Sequence, residues 1–354
     1  MKNLNIDIKK SALKRQAELT KPAGSLGQLE AIALQLAACQ GRVCPQITQP
    51  WISVFAADHG INEEGVSAYP SIVTQEMIKN FSSGGAAITV IAKQEQAKFE
   101  VVDVGVLHDV GPLPTLVSSR VAAGSFNFAK QPAMSEAMLT QAMQAGEEAV
   151  QRALVSGADL FIGGEMGIGN TSSAAAMISQ ICQQPLAPMV GRGTGVDDIQ
   201  LQHKQDVLAR ALTLHQAEMT GALAVLRCVG GLEVAALTGA YLACGRAGLP
   251  MVIDGVISCA AALVAFEMHP QIKEWMLFGH KSVEPAQQAV FDHLEATPIL
   301  DLSMRLGEGS GAAMAIPIIR LACLLHSNMA TFSEASVSES SALELTALDA
   351  AETA

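Results

Sequence analysis

Three glycine-dense segments hold the residues best placed for chemistry: Gly163-Gly164-Glu165-Met166-Gly167-Ile168-Gly169-Asn170-Thr171, Gly191-Arg192-Gly193-Thr194-Gly195 and Leu306-Gly307-Glu308-Gly309-Ser310-Gly311. Glycine has no Cβ, so backbone N–H groups in such loops can approach a phosphate or a flat ring closely. Glu165 and Glu308 each set a carboxylate inside such a loop. Glu308, framed by two glycines, reads as a catalytic base, with a helix-start carboxylate favoured by the helix dipole as the simpler alternative. The run Ile168-Gly169-Asn170-Thr171-Ser172-Ser173 enters an alanine-rich helix, an arrangement that aims free N–H groups at an anion, although Asn170 or Thr171 could simply cap that helix. It is neither a dinucleotide fingerprint, lacking a third glycine in phase, nor a Walker loop, lacking Gly-Lys-Ser/Thr. A phosphate also needs a cation, which Arg192, Lys204 or Lys281 beside Ser282 could supply. Asp58-His59 reads as a hydrogen-bonded structural pair.

These residues must be positioned by a scaffold of alternating elements. Short β-rich runs at Trp51 to Ala56, Phe99 to Val104, Asp159 to Ile162, Met251 to Ile253, Trp275 to Phe278 and Ile299 to Leu302 alternate with helical stretches. That pattern predicts an α/β fold with a mainly parallel sheet. Polar and glycine residues follow each run, so the motifs are expected to converge outside the carboxyl ends of the strands. The alanine-rich stretch Gly231 to Gly245 is expected to pack tightly, on the sheet or on a second subunit. Residues 1–30 and 333–354 differ from the centre in composition and are assigned to a small helical domain, leaving 31–332 as the large catalytic domain.

The chain has 354 residues, half of them hydrophobic, and a formal net charge of −12. The charge disfavours nucleic acid and anionic lipid as partners and points to a small-molecule ligand. The most apolar window, 249–268, is broken by Asp254 and Gly255, so no membrane span is expected. The polar N-terminus does not resemble a secretory signal, which suggests a cytoplasmic protein. Seven cysteines form no C-x-x-C pair and eight histidines show no zinc spacing, so neither a metal nor a cofactor is expected. On these residues alone, a nucleotide-dependent oxidoreductase and a non-catalytic nucleotide sensor compete with a transferase.

The motifs taken together resemble the nicotinate-nucleotide:dimethylbenzimidazole phosphoribosyltransferases, which make the lower-ligand nucleotide of cobalamin. The resemblance rests on Thr20-Lys21-Pro22-Ala23-Gly24-Ser25-Leu26-Gly27, Ala57-Asp58-His59-Gly60-Ile61, Glu64-Gly65-Val66-Ser67-Ala68-Tyr69-Pro70, Asn80-Phe81 with Gly84-Gly85-Ala86-Ala87, the three glycine segments, and the run from Asp301 to Ala313. It implies a Rossmann-like α/β domain with helices on both faces of the sheet, a helical domain built from both termini, and a homodimer. It also implies the reaction: nicotinate mononucleotide and 5,6-dimethylbenzimidazole give α-ribazole 5′-phosphate and nicotinate, with inversion at C1′. By motif, Glu308 is implied as the general base and Glu165 as a second active-site carboxylate. Ser67 and Gln75 are implied in the acceptor pocket, with Met77, Tyr69 and Leu306 as candidate walls. Gly167, Gly193, Lys204 and Ser282 are implied at the nucleotide phosphate. Nicotinate leaves as a neutral ring nitrogen, so its departure asks for no metal.

Overall fold

The computed structural model describes residues 1–193 and 195–338. Seven strands form one sheet: β1 (Pro50–Ala57), β2 (Lys98–Gly105), β3 (Leu116–Ser118), β4 (Leu160–Met166), β5 (Met251–Ile253), β6 (Met276–Ser282) and β7 (Pro298–Met304). Their order is β3-β2-β1-β4-β5-β6-β7 and every neighbouring pair is parallel. Chain order reverses between β1 and β4, the switch point at which a doubly wound sheet opens a crevice for ligands. The central strands are nearly continuous apolar runs because helices cover both of their faces.

All six strands expected from the β-rich runs are present. Two run four residues further than expected at the carboxyl end: β4 includes Gly163 to Met166, and β6 includes Gly279 to Ser282. Glu165 therefore rises from the sheet itself, where its backbone is fixed by the ladder to β1. The strand β3 carried too little pattern to be foreseen, being three partly exposed residues at the sheet edge.

The chain divides into two compact units. The first comprises Met1–Lys2 and Thr48–Ile316, the second Asn3–Ile47 and Pro317 onward. In the second, the helices Ile6–Glu18 and Gln28–Gln40 accompany the C-terminal helical segment. Arg15 ties them together: its guanidinium donates to the carbonyls of His326, Ser327 and Met329 at 2.9, 2.8 and 3.3 Å, supplying partners to a helix end that otherwise lacks them. Within the Thr20 to Gly27 motif, Lys21 pairs with Glu30 at 2.8 Å. Of the segment 333–354 assigned to the terminal helical domain, residues 339–354 lie outside the described residues.

In the first unit, the alanine-rich helix Leu232–Ala247 is buried from Leu232 to Gly245. It packs on the sheet and on the helix Glu136–Val155, so its small side chains serve close packing inside the chain. A Cβ at Gly146 would lie 1.8 Å from the Ala236 carbonyl oxygen, and one at Gly239 would lie 2.1 Å from that of Met143. Backbone atoms cannot rotate aside as a side-chain tip can. Gly146→Ala is therefore expected to destabilise the protein by about 1–3 kcal/mol or more through overpacking. Gly157→Ala, at φ +78° with nothing within 4 Å, should cost only its backbone strain of about 1–2 kcal/mol. Urea denaturation midpoints check the order; equal midpoints would refute the close-packing account.

Candidate active site

The carboxyl ends of β4 to β7 and the segment after β1 enclose a cavity of about 400 Å³. Its most constrained element is the turn after β7. Gly307, Glu308 and Gly309 all adopt the left-handed conformation, at φ +89°, +65° and +83°. Glycine accepts that region readily, whereas a glutamate there is strained and must be held. The hold comes from Asp254 at the end of β5, whose Oδ2 accepts from the Gly309 N–H at 3.1 Å and Oδ1 from the Ala312 N–H at 2.8 Å. Gly164 on β4 completes it, since a Cβ there would meet the Glu308 carbonyl oxygen at 2.2 Å.

Held in this way, the Glu308 side chain faces the cavity and its Oε2 accepts from the Ile88 N–H at 3.4 Å. Ile88 lies in the first turn of the helix Ala87–Gln94, so the helix-dipole placement considered from sequence and a position on the cavity wall both hold. Burial raises the Glu308 carboxyl above the usual range; the Ile88 N–H opposes this and Asp254 adds to it. Glu165 lies against the same turn, where a Cβ at Gly307 would meet its Oε1 at 2.4 Å, and it accepts a hydrogen bond from Asn170 Nδ2. Burial pushes its carboxyl up to about 8, reinforced by the negative charges of Glu233, Asp254 and Glu308 and opposed by the Glu308 N–H. At neutral pH Glu165 is mostly protonated.

Gly167, Thr171, Gly193 and Ser282 also line the cavity. Gly169, at φ +100°, turns β4 into the helix Asn170–Ile181. Neither Asn170 nor Thr171 caps this helix: Asn170 holds Glu165, and Thr171 Oγ1 accepts from Lys204 Nζ at 2.9 Å. Lys204, from the helix Asp198–His215, also reaches the Gly191 carbonyl at 3.3 Å. It stands behind Thr171, 1% exposed, and burial lowers its ammonium to about 8, with Glu284 opposing. Arg192 is engaged with Asp198 instead. Thr194 of that glycine segment lies outside the described residues.

The structure thus gathers Glu165, Gly167, Gly193, Ser282 and Glu308 around one cavity, with Tyr69, Met77 and Leu306 as apolar wall. Ser67 and Gln75 are not part of that wall. Gln75 Nε2 donates to the Asp109 carbonyl at 3.0 Å, and Ser67 Oγ accepts from the Tyr69 N–H at 3.3 Å. Asp58 and His59 do not pair with each other, because successive side chains of an extended segment point apart. His59 bonds Glu233 at 2.6 Å and Ser173 Oγ at 3.1 Å, while Asp58 accepts from the Leu107 N–H at 2.8 Å. Sequence reading placed Asn170 and Thr171 in an anion-binding helix start, with capping as the simpler alternative, and counted Asp254 and His280 among the converging strand-end residues without giving either a role. The available signal was position, since Asp254 and His280 are polar residues at strand carboxyl ends.

A phosphoribosyltransferase family model matches residues 1–337. The nicotinate-nucleotide–dimethylbenzimidazole phosphoribosyltransferase of Pseudomonas putida (strain W619) is 53% identical over 92% of this chain and 93% of its own length. The chain belongs to the nicotinate-nucleotide–dimethylbenzimidazole phosphoribosyltransferase family. The Azotobacter vinelandii (strain DJ) enzyme of that name is 50% identical over 93% of this chain and 94% of its own length. The crystal structure of the family member from Thermus thermophilus superposes with a TM-score of 0.90, at 42% identity, covering 95% of this chain and all of that one. The α/β architecture with its parallel sheet is that of the family.

The Glu165 environment makes a signed prediction about stability. An ordinary glutamate releases its proton near 4.5, whereas Glu165 in the folded protein keeps it to about 8. Between these values the native state binds the extra proton, so this residue's contribution to stability falls as pH rises through that window. Melting temperatures of wild type should therefore drop more steeply than those of Glu165→Gln between about pH 5 and pH 8. Parallel slopes would place Glu165 in a better solvated environment than this one.

Proposed function

We infer that this chain moves the phosphoribosyl group of nicotinate mononucleotide to 5,6-dimethylbenzimidazole, releasing nicotinate and forming α-ribazole 5′-phosphate for the nucleotide loop of cobalamin. Family membership supports the reaction. The observation that supports its assignment to this cavity is Glu308, a strained carboxylate sharing the cavity with backbone and hydroxyl groups suited to phosphate.

On this reading the mononucleotide phosphate lies at Gly167, Gly193 and Ser282, with Lys204 adding charge through Thr171. A phosphate dianion there would draw a full proton onto Lys204. The flat acceptor lies against Tyr69, Met77 and Leu306, and Ser67 and Gln75 bind its edge once Gln75 releases the Asp109 carbonyl. One benzimidazole nitrogen attacks C1′ as the bond from C1′ to the pyridinium nitrogen breaks, and the breaking bond's electrons neutralise the departing ring. Glu308 takes the proton from the other benzimidazole nitrogen, a transfer worth about 10²–10⁴-fold in rate. A carboxylate with a raised proton affinity is better matched to that task than an ordinary one. Protonated Glu165 acts as a second active-site carboxyl group. Attack from the face opposite nicotinate inverts C1′, turning a β-nucleotide into an α-product. Placing both rings on the two faces of one ribose supplies much of the remaining acceleration. We further assign the chain to the cytoplasm as a homodimer, without nucleic-acid or membrane partners, a reading supported by its net charge of −12.

The test is chromatography of the purified protein with both substrates, following nicotinate and α-ribazole phosphate together. Equimolar appearance is expected; an intact mononucleotide would overturn the reading. Glu308→Ala should lower kcat at least about tenfold while the mononucleotide still binds, and near-normal turnover would remove Glu308 from its role. Lys204→Ala should mainly raise KM for the mononucleotide; a lowered kcat at constant KM would argue against a phosphate role.

A further inference from the structure

One buried polar side chain in this cavity is left without a hydrogen bond. His280, on β6, lines the cavity wall and is 2% exposed, yet neither Nδ1 nor Nε2 has a hydrogen-bond partner among the described residues. Burying two such atoms unsatisfied is costly, so an imidazole in this position calls for a reason. The fold makes room for it at Gly311, where a Cβ would lie 1.9 Å from the ring. The ring thereby rests on the start of the helix Ser310–Met314 that follows Glu308. Its Nε2 stands 3.5 Å from Asp254 Oδ1, on the same carboxylate that holds the Gly309 and Ala312 N–H groups.

We propose that His280 is a positioning residue which acts through Asp254 to fix the turn carrying Glu308, and that a nucleotide filling the cavity against the ring tightens this contact. The proposal rests on the transferase reading given above. The 3.5 Å gap is just beyond a hydrogen bond, and contacts of this kind in empty sites commonly shorten when substrate binds. A shift of a few tenths of an ångström brings the ring N–H onto Asp254 Oδ1. It also draws together the end of β5, the end of β6 and the turn after β7. Nothing covalent changes, and the effect is on the direction of the Glu308 carboxylate.

The experiment measures nicotinate release and melting temperature for His280→Phe and His280→Gln, each in the wild-type and Glu308→Ala backgrounds. Phenylalanine keeps the flat ring and loses the donor, whereas glutamine places an N–H close to the position of Nε2. His280→Phe should lower kcat roughly tenfold with KM for the mononucleotide within about twofold, and His280→Gln should recover most of that loss. In the Glu308→Ala background His280→Phe should cost less than about twofold more, because the group it positions is gone. Losses that multiply across the two backgrounds, an unchanged kcat, or a raised KM at constant kcat would each overturn the proposal. If His280→Phe does not fold, a kcat for His280→Gln below about a tenth of wild type overturns it as well. Failure of the transferase reading has a separate signature: wild type itself releases no nicotinate, and the positioning role falls with it.

Discussion

The carboxylate of Asp254 is the interaction on which the site depends. It accepts two backbone N–H groups from the turn after β7, and that turn cannot persist without such a hold because it places a glutamate between two glycines in left-handed backbone. The turn also sits directly on Gly164 of β4. Three strand ends, from β4, β5 and β7, are therefore fixed relative to one another by one side chain and one missing Cβ. Charge-assisted hydrogen bonds to backbone are among the stronger ones available, so the constraint is stiff enough to hold a strained residue. Glu308 owes its direction to Asp254 and Gly164, neither of which lines the cavity.

The same region concentrates negative charge. Glu165, Glu233, Asp254 and Glu308 are all buried, and isolated buried carboxylates are costly unless paired, hydrogen-bonded or protonated. Each meets that requirement differently. Asp254 takes two N–H groups, Glu233 bonds His59, Glu165 keeps a proton to about 8, and Glu308 takes a single long N–H bond from Ile88. Glu308 faces the cavity with that single long bond and so stands to gain from a ligand's N–H. Burial and neighbouring negative charge raise the proton affinity of Glu165 and Glu308 above that of an ordinary glutamate.

Much of the fold was legible because parallel strands buried on both faces leave continuous apolar runs, and six of the seven left such a run. The exception, β3, is three residues at an edge, too short for any pattern. The gathering of Glu165, Gly167, Ser282 and Glu308 was legible from the rule that polar residues after parallel strands share one end of the sheet, whereas Gly193, in the loop before the helix Asp198–His215, follows no strand and was implied only by the resemblance. The glycine segments misled in one respect. Gly163 and Gly164 read as loop, but they are strand residues whose missing side chains admit neighbouring backbone and helix. The partners of Asp58 and His59 were not legible at all, since Glu233 is 174 positions from His59 and only the topology brings them together. Asn170 was similarly hidden, its side chain looking like a helix cap until Glu165 was seen beneath it.

The two halves of the cavity differ in what builds them, and this bears on which acceptors it can take. On the proposed reading the phosphate meets Gly167, Gly193 and Ser282, with the buried Lys204 behind Thr171. On the same reading the acceptor lies against Tyr69, Met77 and Leu306, and of these Tyr69 and Leu306 are 51% and 56% exposed. An apolar wall discriminates weakly, about 1–3 kcal/mol per methylene and little more against a similar flat ring. On the proposed reading the strict demand falls instead on the acceptor's N–H, which would have to reach Glu308 while the ring nitrogen faces C1′. Selection by this site should therefore be sharp for a ring with two nitrogens in that relation and shallow for what the ring carries elsewhere. Substitutions at Tyr69, Met77 or Leu306 would shift preference among such rings without disturbing the nucleotide, because the turn, the Asp254 anchor and the phosphate rim are held by other side chains and by backbone.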